Sequence, residues 1–437
     1  MKLSRKLLVA LAMASAISAG YGQSADDRIG KAIGHGDWFG LYDVYYSTPK
    51  DSIQGFLELL SRCMIGNRFN RTDISLPAFA ELMKTPGLDP AWLTNLVVMY
   101  SMDMSRTGQN KEAASMMRGA IDTQCQGLDS TWTATLSSMA DKYAALSAYS
   151  TYGLDFHGHA QASVPFDIVP VGPKEKGSVL MHLSGSTING KEADITFDTG
   201  AGVNVICDSL ARVYGLIPLD AGERVKGIGT STATYAIARE MKLGDLTVTD
   251  VPFCVMDLSS GNAEADQYFG AFNLVVGSEL MLQLKDLTLD FRDNKITVPA
   301  KTPERTDVRP NMCFSSGMNL QALGTVADTP ILLTIDTGDG QTGVLGPSFL
   351  EANKEYVLSH GRKSTVRQAG VAGVHVTPCH ELTDVSLTLA GHTITIPQIS
   401  VVENDAHEES AGRLGIRSLR LFSKVRFNLV DFIMSAE

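Results

Sequence analysis

Thr196-Phe197-Asp198-Thr199-Gly200 is a short apolar run that ends in Asp-Thr-Gly, and it returns as Thr334-Ile335-Asp336-Thr337-Gly338. The two aspartates differ by 336 − 198 = 138 positions. Leu274-Val275-Val276-Gly277 has a counterpart ending at Leu414-Gly415, and 415 − 277 is again 138. Leu289-Asp290-Phe291 is echoed by Phe427-Asn428-Leu429, where 428 − 290 gives 138 once more. One Asp-Thr-Gly alone reads as turn chemistry, since Asp and Gly are turn residues. Several landmarks at one offset read as an internal repeat, and the half of the chain that holds them divides into two homologous lobes of about 135 residues each.

Outward from these landmarks the pattern is β-rich. Short runs at residues 178–183, 193–197, 246–256 and 287–291 are separated by Gly, Asp and Asn turns. The spacing places the first lobe at 160–300 and the second at 311–437, joined by a segment rich in Pro, Lys and Arg over 299–310. Upstream, residues 26–152 carry apolar spacings of three and four in the stretches 55–64, 77–83, 92–105 and 111–123, which predicts successive helices. The helices over 93–104 and 111–121, with the turn at 106–110 between them, resemble one tetratricopeptide-type (TPR) unit. A packed helical domain without a partner fits the same pattern, as does a scaffold for a partner protein. The expected fold is therefore multidomain, with an all-α, TPR-like domain over 24–155 followed by an all-β half of two lobes.

Lys2, Arg5 and Lys6 precede an apolar run over 7–17 and then small residues, the layout of a cleaved export signal over 1–23. That run is shorter than the roughly 20 apolar residues of a spanning helix, so no membrane span is expected. The expected location is outside the cytoplasm, periplasmic or secreted. The net charge of −11 disfavours nucleic acid or an anionic membrane surface as the main partner, because phosphate binding needs a positive patch. Peptides, small molecules and other proteins remain.

The cysteines at 63, 125, 207, 254, 313 and 379 show none of the close pairs that mark zinc or redox sites. In an oxidising compartment their locations favour Cys63 with Cys125 and Cys313 with Cys379, whereas Cys207 and Cys254 read equally as buried thiols. His157 and His159 sit at the junction of the two halves without a third ligand in register and read as linker residues. His380-Glu381 and His407-Glu408 read as solvated surface. No phosphate loop, His-Glu-x-x-His helix or Gly-x-Ser-x-Gly turn is present. No metal or organic cofactor is expected.

The chemistry then rests on the repeated Asp. If the lobes are related by a pseudo-twofold axis, the same loop from each meets at the interface, and Asp198 faces Asp336. Two carboxylates about 3 Å apart cannot both ionise, so they share one proton. One can act as base towards a water while the other donates to a carbonyl oxygen. Gly200 and Gly338 allow backbone N–H groups to approach the carboxylates, and the Thr199 and Thr337 hydroxyls can brace one loop against the other.

On these motifs the half from 166 to the end resembles the pepsin and retropepsin superfamily of aspartic peptidases, especially bacterial secreted proteins with both lobes in one chain. The resemblance implies catalytic roles for Asp198 and Asp336, with the apolar-apolar-Gly elements at Gly277 and Gly415 supporting the active-site loops. It also implies a hairpin flap over the cleft from each lobe, at 225–230 (Gly227, Ile228, Gly229) and at 368–373 (Gly370, Gly373). Two positions depart from the family pattern. Asp339 stands where a small residue follows Asp-Thr-Gly, as Ala201 does in the first lobe, and Arg413 stands at an apolar position. A third carboxylate beside the dyad opposes its ionisation unless it points to solvent or meets a cation. The reading is an aspartic endopeptidase acting on peptide or protein substrates. The alternatives are a catalytically silent peptide-binding protein that retains the fold, and a chain whose helical domain docks a protein partner while the lobes support it.

Overall fold

The computed structural model describes residues 24–123, 130–171, 177–227, 229–257, 270–370, 373–404 and 411–437. The expected export signal over 1–23, Cys125 and the pair His407-Glu408 lie outside the described residues. The chain divides into two units, Met1–Ala148 and Tyr149–Glu437.

The first unit is helical: α1 (Ala25–His35), α2 (Trp38–Ser47), α3 (Gly55–Arg68), α4 (Thr72–Leu82), α5 (Pro90–Arg106), α6 (Asn110–Thr123) and α7 (Ser130–Leu146). Local chemistry sets the first of these. The Ser24 side chain accepts from the Asp27 N–H while the Asp27 carboxylate accepts from the Ser24 N–H, and Gly36 at φ 68° ends the helix. Each helix packs on the next, over a core that includes Ile29, Leu41, Leu60, Phe69 and Phe79. An acid is sealed inside. Asp103 is fully buried, accepts from Asn67 Nδ2 at 2.8 Å and Ser75 Oγ at 2.5 Å, and pairs with the Arg106 guanidinium. A buried carboxylate persists only with such partners.

The helices stop at Leu146, and residues 153–155, expected to close the helical domain, already form a strand of the second unit. That unit begins with β1 (Gly153–Asp155), β2 (Gln161–Val171), β3 (Ser178–Leu183), β4 (Thr187–Ile188), β5 (Lys191–Glu192), β6 (Ile195–Phe197) and β7 (Val205–Cys207). It continues with β8 (Ile217–Gly227), β9 (Gly229–Leu243), β10 (Leu246–Met256), β11 (Leu274–Val276), β12 (Asp286–Asp290) and β13 (Lys295–Pro299). The second lobe supplies β14 (Met312–Phe314), β15 (Leu320–Val326), β16 (Thr329–Asp336), β17 (Gly343–Leu345) and β18 (Arg362–Gly370). It ends with β19 (Gly373–Leu389), β20 (His392–Val402), β21 (Gly412–Gly415), β22 (Lys424–Asn428) and β23 (Ile433–Ala436). Alternation drives burial where one face is solvated: in β2, Ala162, Val164 and Phe166 are buried between more exposed neighbours.

Strand order repeats. In the first lobe the path runs β3-β6-β11-β7-β10-β9, with β8 paired to β9; in the second it runs β15-β16-β21-β17-β20-β19-β18. The senses match as well, with β6 parallel to β11 as β16 is to β21, and β7 parallel to β10 as β17 is to β20. The 138-residue offset is also a contact offset. Strands β12 and β22 pair antiparallel with Thr288 directly opposite Arg426, and 426 − 288 = 138. This pairing joins the chain end to the first lobe's sheet.

Two sequence expectations fail here. Cys313 and Cys379 are buried thiols, not a disulfide. Cys313 lies on β14 opposite Gln321 of β15, and β15 meets β19 only where Val326 faces Leu387 through Gly324 facing Leu389. Cys379 is eight positions before Leu387 on β19, about 26 Å along an extended strand and far beyond disulfide reach. His380 is not solvated: it is 3% exposed, between Lys363 of β18 and Val401 of β20, with Nε2 3.4 Å from Glu403 Oε1. A β19 face that packs inward claimed a residue whose type alone reads as surface. Cys63, Cys207 and Cys254 are also buried thiols, and burial pushes the Cys63 thiol up from its ordinary range. Among the described residues no helix is long and apolar enough to cross a membrane.

Candidate active site

The buried run Ile195, Thr196 and Phe197 of β6 delivers Asp198 to a turn, and the Asp198 N–H donates to Val276 O of β11 at 3.0 Å. In the second lobe β16 delivers Asp336, with β21 beside it in the register Thr334 to Arg413, Ile335 to Leu414 and Asp336 to Gly415. Beyond each Asp the chain is tied down in the same way. Ser278 N donates to Ala201 O at 2.8 Å, and Ile416 N to Asp339 O at 2.9 Å. Donors and acceptors are again 138 apart, as 416 − 278 and 339 − 201 show. Gly277 and Gly415 are needed because a Cβ on either would overlap the backbone carbonyls of the adjacent loop.

The two threonines lock the loops reciprocally. Thr199 N donates to Thr337 Oγ1 and Thr337 N to Thr199 Oγ1, both at 3.0 Å. The hydroxyls then donate onward, Thr199 Oγ1 to Ile335 O and Thr337 Oγ1 to Phe197 O, both at 2.7 Å. Both threonines are fully buried, so all four bonds form away from water, where leaving one unmade is costly.

This lock brings the carboxyls together. Asp198 Oδ1 accepts from Gly200 N at 2.8 Å and Ala201 N at 3.2 Å; Asp336 Oδ1 accepts from Gly338 N at 2.9 Å and Asp339 N at 3.0 Å. The two carboxyls lie close enough to act directly on each other. A Cβ on Gly200 would overlap the Asp336 carboxyl and one on Gly338 the Asp198 carboxyl, so only glycine admits the approach. Burial raises the titration of Asp198, against the pull of the backbone N–H groups of Gly200, Ala201 and Gly338. Asp336 is pushed well above the usual carboxylate range, by burial first and the Asp198 charge second, with Arg413 opposing. Both carboxyls are thus raised, and two this close disfavour double ionisation, so the pair shares one proton over a range where free carboxylates would hold none.

The two lobes differ at the positions flagged in the sequence. Asp339 lies beside the dyad and meets a cation: Arg413 Nε donates to Asp339 Oδ2 at 2.9 Å and stands 3.6 Å from Asp336 Oδ2. Asp339 Oδ1 accepts from Gln341 N at 2.9 Å. The equivalents in the first lobe, by the same offset, are Ala201 and Val275. The two departures thus form a single ion pair.

Other groups were not foreseen from the sequence. Asn204 is fully buried and links three segments, donating to Tyr152 OH at 3.0 Å and Pro252 O at 3.1 Å and accepting from Gly277 N at 3.0 Å. Its counterpart by the offset is Thr342, whose hydroxyl donates to Gln398 O at 2.7 Å. Gln341 Nε2 donates to Ser178 Oγ at 2.6 Å and Val179 N donates to Gly340 O at 3.0 Å, which fastens the second active-site loop to β3 of the first lobe. The offset itself was the available signal for Asn204 and Thr342, each six residues past its Asp.

The flap candidates are hairpin tips. Gly227 pairs with Gly229 at the end of β8 and β9, and Gly370 with Gly373 at the end of β18 and β19, while Ile228 lies outside the described residues. His157 is committed to the turn it sits in, with Nε2 2.9 Å from Thr247 Oγ1. Among the described residues no three or more His, Cys, Asp or Glu side chains are grouped to hold a metal ion.

With that geometry in view, comparison with known proteins is informative for one lobe. Residues 185–302 match the sequence model of a family described as Aspartyl protease, a span that includes Asp198 and Gly277 and ends before Asp336. Nothing among curated protein sequences matches the chain. Among solved structures, EIAV protease complexed with the inhibitor HBY-793 is 24% identical over 23% of this chain and 84% of that one, with a TM-score of 0.17. The first lobe is thus similar in sequence to aspartyl proteases, and the second carries the same landmarks at a constant offset.

Proposed function

We propose that the chain is an aspartic endopeptidase in which Asp198 and Asp336 together activate a water molecule. The observation that carries this reading is the partly buried, closely apposed carboxyl pair, each member held by two backbone N–H groups and the whole locked by Thr199 and Thr337. In the reaction, Asp198 as the ionised member takes a proton from water as the oxygen attacks the scissile carbonyl carbon. Protonated Asp336 donates to the carbonyl oxygen, which stabilises the tetrahedral intermediate. Collapse breaks the C–N bond, the proton held by Asp198 goes to the leaving amine, and the new carboxylic acid returns a proton to the pair. No metal or organic cofactor enters any step.

The repeated strand order and the opposed positions 138 apart support a pseudo-twofold relation between the lobes, so no second copy of the chain is required to complete the dyad. The hairpins that end in the pairs Gly227–Gly229 and Gly370–Gly373 serve as flaps that pair with an extended substrate backbone and exclude water. The amino-terminal layout supports export to the periplasm or the medium, and the helical unit serves as a TPR-like scaffold for a protein partner. The Arg413 contact supplies the cation that Asp339 requires, which supports the peptidase reading over a silent peptide binder.

The test is cleavage of a peptide library over a pH series by the wild type, Asp198→Asn and Asp336→Asn. Cleavage that either substitution abolishes with the fold intact supports the reading; cleavage that survives both, or wild-type binding of peptides without cleavage at any pH, overturns it.

A further inference from the structure

The ion pair Arg413–Asp339 sits against one carboxyl of the dyad and has no counterpart at the other. Arg413 projects from β21 at the register position of Thr334, and Asp339 lies three residues past Asp336 in the loop. Their side chains retain 25% and 13% exposure, so both are half-buried at the edge of the dyad. The positive end approaches the reacting group more closely: Arg413 Nε is 3.6 Å from Asp336 Oδ2, whereas the Asp339 carboxylate is turned to Arg413 and the Gln341 N–H. The charged groups acting on Asp336 are Asp198 across the dyad, Arg413 from β21 and Asp339 from its own loop. Asp198 meets backbone N–H groups and Asp336, with Ala201 and Val275 at the equivalent positions of its own lobe. Arg417, the nearby cation on the short helix Ile416–Leu419, lies against Gly177.

On the peptidase reading, we propose that Arg413 and Asp339 act as one positioning unit that fixes the upper pH limit of cleavage by opposing contributions to the charge on the Asp336 side. Arg413 favours the doubly ionised dyad and so lowers the limit. Asp339 disfavours it and raises the limit. Together they nearly cancel, which is how a carboxylate and a guanidinium stand beside a shared proton without removing it. Neither is a catalytic residue, since both act through Asp336.

The experiment measures the alkaline limb of kcat/KM against pH for the wild type, Arg413→Met, Arg413→Lys, Asp339→Ala and the double variant Asp339→Ala/Arg413→Val, which installs the first lobe's pair. Arg413→Met is expected to move the limb up by about one pH unit and Asp339→Ala to move it down by a similar amount. The double variant returns close to wild type, and Arg413→Lys, which keeps the cation, moves it less than Arg413→Met. Singles that shift the limb in the same direction, or a double variant that shifts as far as the larger single, overturn the proposal, as does a limb that none of them moves.

The same variants are followed by the ¹³C shift of the Asp336 carboxyl carbon through a pH titration. That readout needs no turnover and remains decisive if the wild type proves inactive. Opposite displacements of the Asp336 titration in an inactive protein sustain the charge unit while the peptidase reading fails; an unmoved titration in an active one does the reverse. Should Arg413→Met fail to fold, Asp339→Ala and the double variant still carry distinct expectations, a limb moved down and a limb close to that of the wild type.

Discussion

The two Asp-Thr-Gly corners share a backbone and differ in what surrounds it. Each Asp accepts from two following N–H groups, each Thr crosses to the other corner, and each apolar-apolar-Gly strand lies parallel to the strand that carries the Asp. Around Asp198 the flanking positions are Ala201 and Val275; around Asp336 they are Asp339 and Arg413. The shared part is what two carboxyls need to be held together. The differing part is where one lobe diverged without breaking that arrangement, because a new charge and its counter-charge are present together.

Substitutions can break or sharpen this comparison. The largest effect is expected from Asp198→Asn or Asp336→Asn, each lowering the rate of peptide cleavage by at least about 10²–10⁴-fold. An unequal loss would mean that the corners are less equivalent than their hydrogen bonds imply. Next, Thr199→Val or Thr337→Val strands one N–H and one carbonyl, both buried, at about 1–3 kcal/mol for each group, measured by denaturant unfolding. The double substitution should cost less than the sum of the singles, since both remove members of one network. Asn204→Ala should cost more than Thr342→Ala, about 2–3 against about 1 kcal/mol, because Asn204 makes three side-chain hydrogen bonds and Thr342 makes the bond to Gln398 O.

The smallest effect is a pH dependence of stability. The titration of Asp336 is raised in the folded state, so the native protein binds more protons than the unfolded chain between the ordinary carboxylate range and the raised one. The contribution of Asp336 is therefore fully present below the unfolded value and is lost as pH rises through the folded one. Asp336→Asn should raise Tm relative to wild type at neutral pH, with the gap closing in acid. Asp198→Asn should act in the same direction, since its titration is raised too. A gap that widens in acid would contradict the assignment of the proton.

Most of the dyad was legible because it depends on identity and spacing. Asp198, Asp336, their glycines and threonines recur at one offset, and close approach leaves little freedom in residue type. The helices over 55–64 and 92–105 were legible through their period, since apolar spacing is set by burial on one face. What escaped depends on packing between distant segments. Nothing local marks Asn204 as the link between Tyr152, Pro252 and Gly277, or Arg413 as the partner of Asp339 from 74 residues away. His380 read as surface because its type is usually solvated, and the β19 register buried it. Cys313 and Cys379 were matched by position in sequence, while strand register, which sequence spacing does not encode, holds them apart.

The pairing of β12 with β22 bears on when the molecule becomes complete. Strand β12 ends at Asp290, yet its neighbour spans Lys424–Asn428, and Asp286 finds its bidentate partner in Arg426, at 2.7 and 2.8 Å. During synthesis the edge of β12 stays open, and Asp286 without its Arg426 partner, until a strand that begins 424 − 290 = 134 positions after Asp290 has emerged. Asp336 also appears 138 residues after Asp198, so the nascent first lobe lacks half of the dyad. Late arrival of both features means that the carboxyl pair within one chain forms only after the second lobe has emerged.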